Sequence, residues 1–357
     1  MLSISSHGND MTPIIPTLDI YPEAQVIGLE SVKGRFLLEG ASYLGHQQIG
    51  FVNIYNATAL DQISGNKGEN SKIYWLDLSN GELHTRNLPR DLCATAVVPT
   101  VNPAILVVVT NQGIFTLDKN QEELKLWHRP SFIDQWPAGT RSNDSRIDPE
   151  GNLLISWMGE GAHRDSPGSR QGELWLIRPD KTETLLASNL YIPNGHAFIP
   201  NHDGTYRMFY NDTARTFKHP ELPRAVDEYH YNPTIGVMER KGAFFTFPGG
   251  DDVKEFPDGM AISADHKSLL IPMFFGGGVD VINIEECSLM GRIKTPGAEQ
   301  STSIALLPSG EAIITTAAEF YGSEDFKNNP NAGSIFHVDL ADLGIQGAEP
   351  YKFKLSE

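Results

Sequence analysis

Short apolar runs bounded by turn residues dominate the hydrophobic pattern of this chain, and stripes with a helical period are scarce. One type of run has alternating residues and often ends in an acidic or amide side chain, as in Lys72–Asp77 (KIYWLD) and Gly113–Asp118 (GIFTLD). A second type is continuously apolar and follows a polar turn, as in Gly151–Trp157 (GNLLISW). Runs of both types predict short strands that are joined by tight turns.

The alternating runs recur six times, beginning at residues 72, 113, 172, 226, 278 and 333. Units that repeat at roughly 40 to 60 residues, each with several short strands, are typical of a propeller with radial blades. We therefore predict an all-β protein, a six-bladed β-propeller, to which the donor motifs described below add a central metal site. A β-sandwich is the alternative, but it gives no reason for six units. The alternating segment Tyr351–Leu355 is predicted to be an outer strand that pairs with a blade containing N-terminal chain and so closes the ring.

Composition and charge narrow the classes of partner. The chain has 357 residues, 40% of them hydrophobic, and a formal net charge of -17, which disfavours nucleic acid and anionic membranes. Its two cysteines, Cys93 and Cys287, exclude a disulfide framework and favour a cytoplasmic protein. Apolar runs are too short to span a membrane. We expect a flexible tail at residues 1–16, a single propeller domain at 17–357, and a monomer.

Three motifs that are distant in the chain each place a hard oxygen donor beside a glycine: Glu39–Gly40, Asn194–Gly195 and Asp258–Gly259. Taken singly, such pairs are usually turns. In a propeller, however, the innermost strands of all blades converge on the axis, where the three side chains can meet around one divalent cation. Two carboxylates and an amide favour Ca²⁺, Mg²⁺ or Mn²⁺, and Zn²⁺ also accepts carboxylate oxygen.

The order and spacing of these motifs resemble those of the regucalcin (senescence marker protein) and gluconolactonase family of six-bladed propellers. The resemblance extends from about Phe36 to Phe353, nearly the whole chain. Further motifs that carry it are Arg141–Asp144 (RSND), Tyr210–Thr213 (YNDT) and Leu343–Tyr351 (LGIQGAEPY).

The resemblance implies a metal-dependent lactonase that hydrolyses the ester of a sugar-type lactone by attack of water on a metal-polarised carbonyl. It implies that Glu39, Asn194 and Asp258 bind one divalent cation, most simply Ca²⁺, and that Asp258 also serves as catalytic base. Arg141 and Asn143, from the family's Arg-x-Asn-Asp motif, are expected to bind the substrate.

Glu160 lies near the position of an acidic pocket residue in family members, and we expect it to bind substrate as well. Ser145 stands where the family usually has glycine. Trp157 stands in a pattern that is usually smaller, so it is expected to narrow the pocket or change what it accepts. His196, which follows the Asn194–Gly195 pair, either points into the pocket or is a structural core histidine. These differences affect the substrate prediction and leave the metal prediction unchanged.

Two other functions fit the same features. One is a non-catalytic calcium-binding or regulatory propeller, and the other is a protein-interaction propeller in which the metal only stabilises the structure. The sequence has no His-Glu-x-x-His, Gly-x-Ser-x-Gly or P-loop motif.

Overall fold

The structure is a computed structural model, and it describes residues 22–27, 37–54, 70–121, 123–136, 140–158, 172–213, 221–249, 253–318 and 324–355. The predicted N-terminal tail and Glu160 lie outside these ranges. Among the described residues there is no candidate transmembrane helix.

The described part of the chain is nearly all strand. In chain order the strands are β1 (Gln25–Ile27), β2 (Leu38–Gly45), β3 (Gln48–Asn53), β4 (Lys72–Asp77), β5 (Glu82–Asn87), β6 (Ala94–Pro99), β7 (Ile105–Thr110), β8 (Gly113–Asp118), β9 (Glu123–His128), β10 (Arg141–Ile147), β11 (Leu153–Met158), β12 (Gly172–Ile177), β13 (Glu183–Leu190), β14 (Pro193–Pro200), β15 (Tyr206–Asp212), β16 (Ala225–Asn232), β17 (Val237–Thr246), β18 (Phe256–Pro257), β19 (Ala261–Ile262), β20 (Ser268–Phe274), β21 (Gly278–Asn283), β22 (Ser288–Lys294), β23 (Gln300–Leu306), β24 (Glu311–Ala317) and β25 (Ile335–Asp339). One helical turn, α1 (Asp325–Asn328), and the 3-10 segments Ser131–Gln135 and Ala341–Leu343 are also present.

The strands form six antiparallel sheets, and each sheet is one blade. Blades 1 to 4 are β2–β5, β6–β9, β10–β13 and β14–β17, with the innermost strand first. Blade 5 is β18–β22, and its innermost strand consists of two segments, β18 and β19, which both pair with β20. Blade 6 is β23–β25 with β1 outermost. The six alternating runs of the sequence fall on β4, β8, β12, β16, β21 and the start of β25, so the predicted six-bladed β-propeller is confirmed.

Within each blade, the two inner strands are more buried than the outermost strand. The innermost strands β6 and β23 are buried at every residue, and β7 is buried at all but its first. The outer strands β5 and β9 contain no fully buried residue. This gradient explains why the second strands are continuous apolar runs and the outer ones are polar, because only the inner strands are covered on both faces.

The core consists of six hydrophobic clusters, one between each pair of neighbouring blades, including blades 6 and 1. Strand β15 shows how alternation supplies two clusters at once. Met208 and Tyr210 pack towards blade 3, whereas Phe209 between them packs towards blade 5. In the described part of the chain, each blade therefore packs on both of its neighbours, and blade 6 packs on blade 1 to complete the ring.

The ring is closed by N-terminal chain. Strand β1 pairs with β25, with Val26 opposite Phe336, and becomes the outer strand of blade 6. The prediction that Tyr351–Leu355 forms this strand is wrong. Phe353 instead makes a parallel bridge to Thr100 of blade 2 and is fully buried, with its ring edge-on to Trp127. Alternation correctly marks a segment with one apolar side, but it carries no information about which blade that side covers.

Candidate functional site

The innermost strand of every blade is interrupted in its first half. The interruptions are register shifts between Glu39 and Ser42, Ala94 and Ala96, Ser142 and Ser145, Pro193 and His196, and Ser301 and Ser303, together with the break between β18 and β19. A bulge leaves a residue unpaired and turns its side chain away from the regular alternation. Because such an irregularity occurs in the inner strand of all six blades, each blade has side chains near the axis that need not pack in the hydrophobic clusters between blades.

Four of the residues predicted from sequence lie at these interruptions. Glu39 begins the shift in blade 1, Asn143 lies inside the bulge of blade 3, Asn194 lies inside that of blade 4, and Asp258 lies in the break of blade 5. Glu39 is half-buried, and the exposed fractions of the other three are 8%, 4% and 8%. Arg141 opens β10, two residues before Asn143. The structure thus places four of these residues at interruptions of inner strands and Arg141 at the start of one such strand, while their roles stay predictions.

The glycine in each donor–glycine pair is required by close approach of the next blade. A Cβ at Gly40 would lie 2.9 Å from the Thr95 carbonyl oxygen, and Gly40 also has a φ of +64°. A Cβ at Gly259 would lie 2.9 Å from the Thr302 carbonyl oxygen, and one at Gly195 would overlap the backbone of blade 5. The glycines therefore allow neighbouring inner strands to pack backbone to backbone beside the candidate ligands.

Hydrogen bonds join the donor segments across the blades. The Thr302 hydroxyl donates to the carbonyl of Leu38 (2.6 Å), and the Thr302 carbonyl accepts from the amide of Gly259 (2.8 Å). The amide of Gly195 donates to the carbonyl of Asp258 (3.3 Å). Backbone atoms at or next to all three candidate ligands are therefore held in one connected network, which fixes the relative positions of the strands that carry them.

A chain of side-chain hydrogen bonds runs from blade 3 to blade 5. Arg141 donates to Asn143 Oδ1 (2.9 Å), and Asn143 Nδ2 donates to Asn194 Oδ1 (2.7 Å) and to the Pro193 carbonyl (3.0 Å). Asn194 Nδ2 donates to Thr213 Oγ1 (2.8 Å), and the Thr213 hydroxyl donates to the carbonyl of Pro257 (2.6 Å). The chain therefore connects the predicted substrate-binding residues with the segment that contains Asp258.

Two titratable side chains next to Asn143 and Asn194 in the sequence have shifted pKa values. Burial raises the pKa of Asp144, against the opposing effect of Arg146 and of the hydrogen bond from the Ser145 amide (2.8 Å). Burial, reinforced by the charge of Arg146, lowers the pKa of His196 to about 3, so this histidine is neutral at neutral pH. His196 is fully buried and contacts the ring of Tyr210, which identifies it as a core histidine rather than a side chain open to substrate.

Asp212 holds the loop that leads into Asn194. Its carboxylate accepts hydrogen bonds from the amides of Tyr191 (2.9 and 3.1 Å) and Ile192 (3.0 Å), just before β14 begins. Burial raises the pKa of Asp212 to about 6 in spite of these bonds. Asp212 therefore orders the approach to the candidate ligand and has no axial contact in the described structure.

Two departures from the family pattern, Ser145 and Trp157, fit the backbone and the core of the structure. Ser145 lies in a strand and is not among the residues with positive φ, so the serine fits where glycine is usual. Trp157 is 1% exposed and packs edge-on to Phe132 (5.4 Å between ring centroids) in the core between blades 2 and 3. The indole fills this core, and it does not narrow an open pocket.

The donor set fits a hard cation. Within the described residues there is no group of three or more His, Cys, Asp and Glu side chains that could hold a metal. The predicted set has a different composition, because one of its three donors is the amide of Asn194. Glu39 and Asp258 supply carboxylate oxygens and Asn194 supplies a carbonyl oxygen, which are ligands that Ca²⁺ prefers. Strand positions tied by cross-blade hydrogen bonds give such a set the rigidity that a metal site needs.

Sequence reasoning missed the hydroxyl groups that connect the inner strands. Besides Thr213 and Thr302, these include Ser303, which accepts from the Ala41 amide (3.0 Å), and Thr95, which bonds to Ser142. A signal was available in β23, whose first four residues, QSTS, are polar and yet entirely buried. A polar run in an inner strand indicates that its side chains bond to a neighbouring blade.

Comparisons with known proteins agree with the fold and the motifs. The family model "SMP-30/Gluconolactonase/LRE-like region" matches residues 67–318. The regucalcin of Gallus gallus is 26% identical over 223 residues, which are 62% of this chain and 69% of that protein. The pentonolactonase of Haloferax volcanii is 24% identical over 292 residues, which are 77% of this chain and 89% of that protein.

Solved structures show the same architecture. A regucalcin from Agrobacterium tumefaciens, described as a calcium-binding protein, superposes with a TM-score of 0.70 at 20% identity, covering 91% of this chain and 98% of its own. A luciferin-regenerating enzyme gives a TM-score of 0.73 at 22% identity, covering 94% and 100%. The family match covers most of the chain and agrees with the resemblance seen in its motifs, and the chain therefore belongs to the SMP-30/gluconolactonase/LRE-like family.

Proposed function

We propose that this protein is a metal-dependent lactonase that hydrolyses a sugar-type lactone to the corresponding hydroxy acid. The observation that carries the proposal is the position of Glu39, Asn194 and Asp258 at the interruptions of three inner strands of a propeller of this family. The pentonolactonase among the relatives supports a sugar lactone as substrate. We propose Ca²⁺ as the cation, with Mg²⁺, Mn²⁺ and Zn²⁺ as alternatives.

Glu39, Asn194 and Asp258 would hold the cation. A divalent cation bound there supplies positive charge that polarises the ester carbonyl and stabilises the negative charge that develops on its oxygen. A carboxylate beside a divalent cation favours its ionised form, and in that position Asp258 could take a proton from the attacking water. Water adds to the carbonyl carbon, the ring C–O bond breaks, and the proton passes from Asp258 to the ring oxygen.

Arg141 and Asn143 would orient the substrate. The guanidinium is a planar fork of donors that suits ring oxygens or a carboxylate, and an amide can both donate to and accept from a hydroxyl group. Arg141 is half-buried, so part of the fork remains open to a ligand while one nitrogen bonds to Asn143. Glu160 stays a further candidate for substrate binding.

The test is hydrolysis of a panel of aldonolactones before and after removal of divalent cations. Chelation is expected to abolish turnover, and added Ca²⁺ or one of the alternative cations is expected to restore it. Asp258→Asn is expected to lower kcat/KM by about 10²–10⁴-fold, because the base is lost. Asp265→Asn is the matched control, since Asp265 lies in a turn of the same blade and bonds to Ser263 (2.6 Å).

Full activity of Asp258→Asn would refute the mechanism. Tight Ca²⁺ binding without turnover across the lactone panel would instead favour the non-catalytic calcium-binding propeller. If the bound cation had no coordination position open to water or solute, this would favour the protein-interaction propeller in which the metal only stabilises the structure.

A further inference from the structure

The hydrogen-bond chain through Asn194 has a fixed direction. At one end, the Arg141 guanidinium can only donate, so the oxygen of Asn143 has to face it. The amide nitrogen of Asn143 then points to the Pro193 carbonyl and to Asn194 Oδ1. Arg141 thereby determines that Asn143 offers a donor, and not an acceptor, to Asn194.

The other end imposes the same direction. The carbonyl of Pro257 can only accept, so the Thr213 hydroxyl has to donate to it (2.6 Å). The oxygen of Thr213 then has its lone pairs free for Asn194 Nδ2 (2.8 Å). Since Thr213 is 7% exposed and Asn194 is 4% exposed, water has little access to replace either bond.

These two constraints decide which atom Asn194 can offer as a ligand. If the Asn194 amide were flipped, its nitrogen would face the nitrogen of Asn143, and both are donors. Its oxygen would face the oxygen of Thr213, whose hydrogen is already donated to Pro257. In the structure the amide instead directs its nitrogen to Thr213, and its oxygen is the acceptor. An amide nitrogen cannot bind a cation, so this orientation matters for the proposed role of Asn194.

We propose that Thr213 is a positioning residue that holds the amide of Asn194 in the orientation required for cation binding and links it to the segment carrying Asp258. The inference deepens the proposed function, because it takes Asn194 as a cation ligand. The amide oxygen keeps one acceptor position for the cation while it accepts from Asn143, and the nitrogen keeps its partner in Thr213. Without the hydroxyl, the nitrogen of Asn194 is buried without its partner whenever the oxygen binds the cation.

The experiment is a calorimetric Ca²⁺ titration of the chelator-treated full chain and of variants at position 213. Thr213→Val keeps the shape and removes the hydroxyl, and it is expected to weaken Ca²⁺ binding by about 10–100-fold, the usual effect of losing a hydrogen bond to a ligand. Thr213→Ser keeps the hydroxyl and is expected to bind within about threefold of wild type.

Thr316→Val is the matched control. The Thr316 hydroxyl is fully buried in blade 6, donates to the Ser334 carbonyl (2.7 Å) and accepts from the Ser334 amide (3.0 Å). Its loss should lower the thermal midpoint about as much as loss of the Thr213 hydroxyl but leave Ca²⁺ affinity unchanged. Wild-type affinity in Thr213→Val, with only a lower midpoint, would overturn this inference and leave the proposed function intact. Absence of divalent-cation binding by the wild type would overturn both.

Discussion

The orientations of Asn143, Asn194 and Thr213 are determined by the hydrogen bonds that these side chains donate and accept. Glu39, Asn194 and Asp258 can be selected from sequence only through the resemblance of their motifs to a known family, because a hard oxygen donor beside glycine also occurs in ordinary turns such as Asn80–Gly81 and Asp203–Gly204. The glycines are explained by the next blade, whose backbone leaves no space for a Cβ. The role of Thr213 could not be predicted, because its partners Asn194 and Pro257 are 19 and 44 residues away and are reached only through the ring.

Asp212 predicts a pH dependence at the residue scale. Its pKa is raised from 3.8 to about 6 in the folded protein, so the folded state binds this proton more tightly than the unfolded state does. Stability contributed by Asp212 is therefore lost as the pH rises from about 4 to about 6. Asp212→Asn cannot ionise, and its stability relative to wild type should improve by about 2 kcal/mol between pH 4 and pH 7.

Urea unfolding in the presence of chelator, at pH 4 and at pH 7, measures this difference. Asp203→Asn is the control in the same blade, because hydrogen bonds to Thr205 lower the pKa of Asp203 and give no such trend. A stability difference between Asp212→Asn and wild type that stays constant with pH would contradict the assignment.

At the level of elements, each inner strand combines regular pairing with at least one interruption. The second strand of each blade, such as β11 or β20, is predictable from sequence, because both faces of this strand are buried and its residues form a nearly continuous apolar run. The inner strands are harder to predict, since polar residues at the bulges of β10 and β14 break the apolar pattern. The location of β1 depends on pairing with β25, more than 300 residues later, which local pattern cannot reveal.

Two N-terminal deletions distinguish the contribution of strand β1 to ring closure from any effect of the residues that precede it. Deleting residues 1–27 removes β1 and exposes the edge of β25, so the thermal midpoint should fall by at least about 2 °C and the protein should associate through the open edge. Deleting only residues 1–16, the predicted flexible tail, should leave both properties unchanged. Calorimetry and light scattering measure them. Equal behaviour of the two truncations would show that β1 does not close the ring.

For the whole molecule, closure of the six blades brings motifs that are distant in sequence onto the inner strands of one ring. The six interblade clusters form one continuous ring, so the positions of Glu39, Asn194 and Asp258 depend on the packing of every blade. The repeat of alternating runs was sufficient to predict this architecture, because each unit supplies one blade. The path of the C-terminal segment was not predictable, since Phe353 packs on blade 2 through a single bridge to Thr100.

The most direct test of the account is a crystal structure of the protein grown with Mn²⁺ in place of Ca²⁺, with the cation located by its anomalous scattering. We predict one strong peak on the propeller axis, within ~2.0–2.6 Å of carboxylate oxygens of Glu39 and Asp258 and of the amide oxygen of Asn194. A peak elsewhere, or an axis without a peak at a Mn²⁺ concentration that supports turnover, would contradict the account.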